Sequence, residues 1–205
     1  VARVYGYNHI PDVAPMSSLV MGRHKEANIS LNHLKQSLIT LGYQESITYS
    51  FVDPKTQALM FPEQKTLALP HPISVEMSSM RVSLLPGLLD AVVYNQNRQQ
   101  PRVRVFETGL KFIPDESAEN GVRQTPMIAG VATGLVAGEH WSIEKRPVDF
   151  FDVKGDIETL IASTSAENEF SFNPGQHPAM HPGQTAAVFR SDTLIGHIGT
   201  IHPKL

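Results

Sequence analysis

Leu31, Leu34, Leu38 and Leu41 recur at spacings of three, four and three, so one face of a helix over residues 31–41 is apolar. Ser30 is placed to cap its first turn and Gly42 to end it. The period then changes: Ser46-Ile47-Thr48-Tyr49-Ser50-Phe51 alternates polar with apolar and predicts a strand. Asp53-Pro54 predicts the start of a short helix, with Asp as cap and Pro at its first position. Residues 66–69 predict a short strand before Pro70. Leu85, Leu88, Leu89, Val92 and Val93 form the apolar face of a helix over residues 86–99. Residues 102–106 alternate again, placing Arg102 and Arg104 on one face and Val103 and Val105 on the other. Residues 110–113 and 126–136 read as further strands, 152–162 as a helix with Ile157, Leu160 and Ile161 inward, and 185–190 and 194–201 as closing strands. Strands divided by turns, with helices interspersed irregularly, predict an α+β fold with a largely antiparallel sheet. Residues 1–15, with Tyr5, Tyr7, Pro11 and Pro15, read as a tail or linker, which leaves 16–205 as one core domain.

A chain of 205 residues can bury roughly 70% of its unfolded surface, enough for one good core. Cysteine is absent, which excludes a disulfide scaffold, a thiolate nucleophile and Cys-based zinc or iron–sulfur sites. A net charge of −3 argues against a generic basic nucleic-acid binder. Charged residues make up only 18%, which points to surface used for partner contacts. The longest charge-free stretch, Gln124 to Gly138, is too short and too rich in Gly and Thr to cross a membrane. No signal-peptide pattern follows Val1, so a cytoplasmic location is expected, and both ends read as cuts inside a longer protein.

No phosphate-binding loop, dinucleotide fingerprint or nucleophile elbow is present. Asn28-Ile29-Ser30 is a glycosylation sequon, relevant only to a secreted protein. His177 and His181 are four apart, with His197 and His202 nearby, but Pro178 and Pro182 oppose a helix that would put both rings on one face. Loop histidines bonded to backbone are the plainer reading. Asp149, Asp152, Asp156 and Glu158 could supply paired carboxylates, or could simply favour a helix N-terminus and a solvated face. Arg98, Arg102, Arg104 and Lys111 could meet phosphate, or a partner's carboxylates. Residue spacing alone therefore stops at an α+β domain with an interaction surface.

Five stretches taken together are more specific. Val1-Ala2-Arg3-Val4-Tyr5-Gly6-Tyr7-Asn8-His9-Ile10-Pro11 resembles the end of a small domain in the β subunit of bacterial phenylalanyl-tRNA synthetase. Met80-Arg81-Val82-Ser83-Leu84-Leu85-Pro86-Gly87-Leu88-Leu89 and Val93-Tyr94-Asn95-Gln96-Asn97-Arg98 are similar to the next signature of that family. His181-Pro182-Gly183-Gln184 and Gly196-His197-Ile198-Gly199-Thr200-Ile201-His202-Pro203 resemble its closing part. The resemblance runs in order over nearly the whole chain.

It implies a class II aminoacyl-tRNA synthetase-like module, an antiparallel sheet flanked by helices. The helix ending at Leu41-Gly42-Tyr43 and the strand to Phe51 resemble the class II motif that builds subunit interfaces, with Tyr49 and Ser50 near the place of its usual proline. Residues 102–112 resemble the first strand of motif 2. An active site of that class places an Arg directly after the Phe, and its permanently charged fork holds the ATP α-phosphate. Here Ile113 follows Phe112, and Pro114 is expected to redirect the strand. The resemblance therefore implies a module without adenylation activity and without catalytic or metal-ligating residues of its own. ATP and magnesium would be used by the whole enzyme. The implied partners are the catalytic α subunit, a second β subunit in an α₂β₂ assembly, and tRNA-Phe through the whole enzyme. The residues expected at a partner interface are Leu31, Leu34, Leu38, Leu41, Tyr43, Arg81, Asn95, Asn97 and Arg98. The leucine seam suits the local core equally well. Two other readings stay open: a metal-dependent hydrolase built on His177, His181 and the acids near Asp152, and a stand-alone tRNA-binding module.

Overall fold

The structure, a computed structural model, describes residues 1–14, 16–17 and 29–205. Pro15 of the expected tail and Asn28 of the sequon lie outside the described residues. Near the start, Ala2–Tyr5 forms a single turn of helix (α1) with no buried residue. The leucine-seamed helix is α2, Leu31–Thr40, and the Ser30 hydroxyl accepts the His33 N–H as its cap. Gly42 follows at φ +85°, where a side chain would be strained.

Next come the short strands β1 (Gln44–Glu45) and β2 (Phe51–Val52), helix α3 (Pro54–Met60), β3 (Ser79–Met80) and helix α4 (Leu85–Gln96). As the sequence predicts, Asp53 caps α3, accepting from the Lys55 N–H at 2.8 Å, with Pro54 at its first position. The expected strand over 66–69 is reduced to one bridge, Ala68 to Ser79. A long hairpin follows, β4 (Val103–Pro114) against β5 (Val122–Thr133), in register from Val103 opposite Thr133 to Pro114 opposite Val122. Helix α5 is Phe150–Ala162, closed by a capping box in which Asp149 and Asp152 each accept from the other's backbone. The chain ends in three antiparallel strands, β6 (Phe170–Pro174), β7 (Met180–Arg190) and β8 (Thr193–Ile201).

The architecture is α+β. The expected single sheet is divided into three: β1–β4–β5, β2–β3 and β6–β7–β8. β1 lies parallel to β4, while the other strand pairs are antiparallel. Pro114 does not redirect its strand. It takes the last rung of the hairpin, where a missing N–H breaks no internal ladder. The two expected strands at 102–106 and 110–113 are one, because nothing between them interrupts the ladder to β5.

At its base, around residues 103–106, the hairpin is covered on both faces. Val103 and Val105 pack on Leu84, Leu88 and Val92 at α4. On the other face, Phe106 packs with Leu38 of α2, Tyr43 and Leu160 of α5. Ile157 contacts that cluster and also the Ala186, Val188 and Ile198 cluster, so α5 joins the hairpin to the third sheet. Val93, expected on the apolar face of α4, is 54% exposed, since the covered stripe runs through Leu85, Leu88 and Val92. Among the described residues, no helix is long and apolar enough to cross a membrane.

Candidate functional site

The hairpin carries the chemistry-bearing residues, and two ionic nodes occupy its faces. On the α4 side, Arg81 donates from Nη1 to Glu107 Oε1 at 2.7 Å and to Thr48 Oγ1 at 3.2 Å, and from Nε to the Leu110 carbonyl at 3.0 Å. Thr48 donates in turn to Glu107 Oε2 at 2.7 Å. Backbone bonds fix the same corner: the Arg81 N–H donates to Ser50 O and the Phe112 N–H to Arg81 O. Two glycines leave the room. A Cβ at Gly87 would lie 2.3 Å from Thr48 Oγ1, and one at Gly109 would lie 2.4 Å from Arg81 Nη2.

On the opposite face, the Tyr43 hydroxyl donates to Asp156 Oδ2 at 2.8 Å, and Arg104 Nη2 lies 3.4 Å from the same oxygen. Arg104 also donates to the Leu41 carbonyl at 2.9 Å. Burial and the neighbouring Asp156 carboxylate push the Tyr43 phenol above the ordinary tyrosine range. Arg102 is bound to the Leu135 and Val136 carbonyls. Ile113, at the position the sequence singles out, pairs with Arg123, whose guanidinium lies 3.5 Å from Asp115.

The nine residues expected at an interface divide between core and surface. Leu38, Tyr43 and Arg81 are buried, and Leu34 and Leu41 are half-buried against the cluster around Phe106. Arg81 is thus not a surface residue: its Nη1 and Nε are bound within the fold to Glu107, Thr48 and Leu110. Asn95 is half-buried and donates to the Ala91 carbonyl. Leu31, Asn97 and Arg98 are exposed, with the Arg98 guanidinium 3.4 Å above the Tyr94 ring.

The segment expected as a strand over 46–51 is strand only at Phe51. Thr48 turns inward to the Arg81–Glu107 pair, while Ile47 is 90% exposed and Tyr49 is 66% exposed. Sequence reasoning did not single out Ile47 and Tyr49 as surface candidates. Alternation was legible, but which phase faces the core depended on an ionic partner 59 residues away.

The metal-site alternative gains no geometry. Asp152 is held by both Nη atoms of Arg146, at 2.6 Å each, which lowers its pKa to about 2. His181 Nδ1 accepts the Gly183 N–H of its own turn. Among the described residues, no three His, Asp or Glu side chains gather to hold a metal.

The model of the phenylalanyl-tRNA synthetase β chain CLM domain matches residues 10–205. The chain belongs to this family. Curated phenylalanine–tRNA ligase β subunits are similar along its whole length: that of Colwellia psychrerythraea strain 34H is 58% identical over 205 residues, and that of Vibrio cholerae serotype O1 is 54% identical. The chain spans about a quarter of the length of these relatives, 25% and 26% respectively. The pyrrolysyl-tRNA synthetase PylSc of Desulfitobacterium hafniense shares the fold, with a TM-score of 0.55, 14% identity, and coverage of 85% of this chain and 60% of that one.

Proposed function

We propose that this chain is a structural, non-adenylating module of a phenylalanine–tRNA ligase β subunit, packing against the catalytic α subunit so that the assembly can charge tRNA-Phe. The observation that carries this is the state of the arginines in and beside the hairpin. Arg81, Arg102 and Arg104 are each bound to internal carboxylates or carbonyls, Arg123 lies beside Asp115, and Ile113 stands where a phosphate-binding fork is needed. Lys111 is the remaining cation of β4, and an ammonium lacks the planar fork. On this reading ATP and magnesium are used by the whole enzyme rather than bound by this module. The reading places the module in the cytoplasm, in an α₂β₂ assembly.

Ile47 and Tyr49 supply the surface this reading needs. They are apolar, exposed and set on the segment that resembles the interface-building motif. Such groups are the usual anchors of an interface core. The test co-purifies this chain with a bacterial phenylalanyl-tRNA synthetase α subunit and measures ATP–pyrophosphate exchange by each chain and by the complex. Binding to α with no exchange by this chain supports the reading. Exchange by this chain alone overturns it.

A further inference from the structure

Three histidines of this chain are each followed by proline and make the same turn. The Nδ1 atoms of His177, His181 and His202 each accept the backbone N–H two residues on, from Ala179, Gly183 and Lys204, at 3.1 Å in every case. A neutral imidazole that accepts at Nδ1 carries its proton on Nε2. The turns therefore set the tautomer and leave an Nε2–H donor on each ring.

Two of these rings share a cleft. His177 and His202 line a space of about 490 Å³ together with Gln176, Pro178, Met180 and Pro182. The rings are held in place. His177 packs edge-on to Phe61, with centroids 5.3 Å apart, and lies 5.0 Å from the His197 ring. The His202 N–H donates to the Ala179 carbonyl at 3.0 Å, which ties the second turn to the first. Among the described residues, neither Nε2 meets a protein acceptor, and no carboxylate lies within 4 Å of either ring nitrogen.

We propose that this cleft binds a small phosphate-bearing molecule, with the Nε2–H groups of His177 and His202 and the Gln176 amide donating to its oxyanion. Three donors on one cleft match an oxyanion with more than two acceptor oxygens, and preset rings lose little freedom on binding. The missing carboxylates matter equally, because a nearby Asp or Glu would repel the ligand or capture the donors. Pro178, Met180 and Pro182 offer apolar walls to whatever carries the phosphate.

The test titrates this chain with inorganic phosphate at constant ionic strength, following the imidazole signals by nuclear magnetic resonance, with chloride as the reference salt. Saturable shifts of His177 and His202, without a shift of His71 (another His-Pro histidine, exposed elsewhere), are expected. His202→Ala removes one donor and weakens binding by about tenfold or more, as expected for a lost hydrogen bond to a charged group. Linear shifts, equal shifts with chloride, or unchanged affinity in His202→Ala overturn the site. His177→Ala repeats the measurement from the other side, and His202→Ala alone decides if that variant unfolds. Displacement of bound phosphate by a single-stranded oligoribonucleotide overturns the small-molecule assignment in favour of a nucleic-acid backbone.

Discussion

Arg81 and Glu107 meet at 2.7 Å inside the fold, with side chains only 5% and 3% exposed. Residues from α4's approach, the hairpin and the 46–50 segment converge on that pair, and the inward turn of Thr48 follows from it. Removing one partner leaves a buried charge without compensation. Glu107→Gln is expected to cost about 3 kcal/mol or more, whereas Arg81→Met with Glu107→Leu costs less than the sum of the single changes. Urea unfolding of the three variants measures both.

Gly87 and Gly109 are steric conditions of the same node. A methyl group at either position meets a pinned atom at less than 3 Å. Gly109→Ala and Gly87→Ala are each expected to destabilise by about 1–3 kcal/mol, as overpacking does. Gly183→Ala, whose added Cβ would meet nothing nearer than 3.6 Å, is the comparison.

Tyr43 titrates apart from the other tyrosines. Of five in the chain, it alone is buried against a carboxylate, so its phenol stays protonated at pH values where exposed tyrosines ionise. Ultraviolet titration of the folded chain is expected to fall one tyrosine short. Tyr43→Phe removes the shortfall and costs about 1.5–3 kcal/mol for a lost hydrogen bond to a charged group.

Acid weakens the chain in two steps. Burial lowers the pKa of His177 and of His197, and the neighbouring His197 lowers that of His177 further. The unfolded chain then takes up protons first, so stability is full above about pH 6.5 and falls as pH drops through that value. Asp152, lowered from 3.8 to about 2, contributes stability above its unfolded pKa that is lost as pH falls towards 2. Urea midpoints measured across this range are expected to fall in both windows. His197→Gln flattens the first and Arg146→Gln the second.

Ile47→Ser with Tyr49→Ser is expected to leave the unfolding midpoint nearly unchanged, since both side chains are exposed, and to weaken co-purification with the α subunit. Truncating Leu34 and Leu38 acts on the fold instead, because Leu38 is buried and Leu34 packs beside it. Retained α binding by a folded Ile47/Tyr49 variant removes this surface from the interface.

Local chemistry was readable without the fold. The leucine spacing with Ser30 and Gly42 placed α2, Asp53-Pro54 placed α3, and the alternation at residues 102–106 placed Val103 and Val105 on one face of their strand and Arg104 on the other. These features act through neighbours a few residues apart, so the sequence by itself determines them. It also determined the family, through motifs that lie in order along the chain. Tertiary structure decided the rest, wherever the deciding partner is distant. Arg81 reads as a surface cation until Glu107 arrives from 26 residues away. Tyr43 reads as an interface aromatic until Asp156 arrives from 113 residues away. The alternation over residues 46–51 does not say which phase is inward, and in the fold Thr48 takes it while Ile47 and Tyr49 stay exposed. A buried charge must be paired, and where its partner lies far along the chain, that pairing overrides the local pattern.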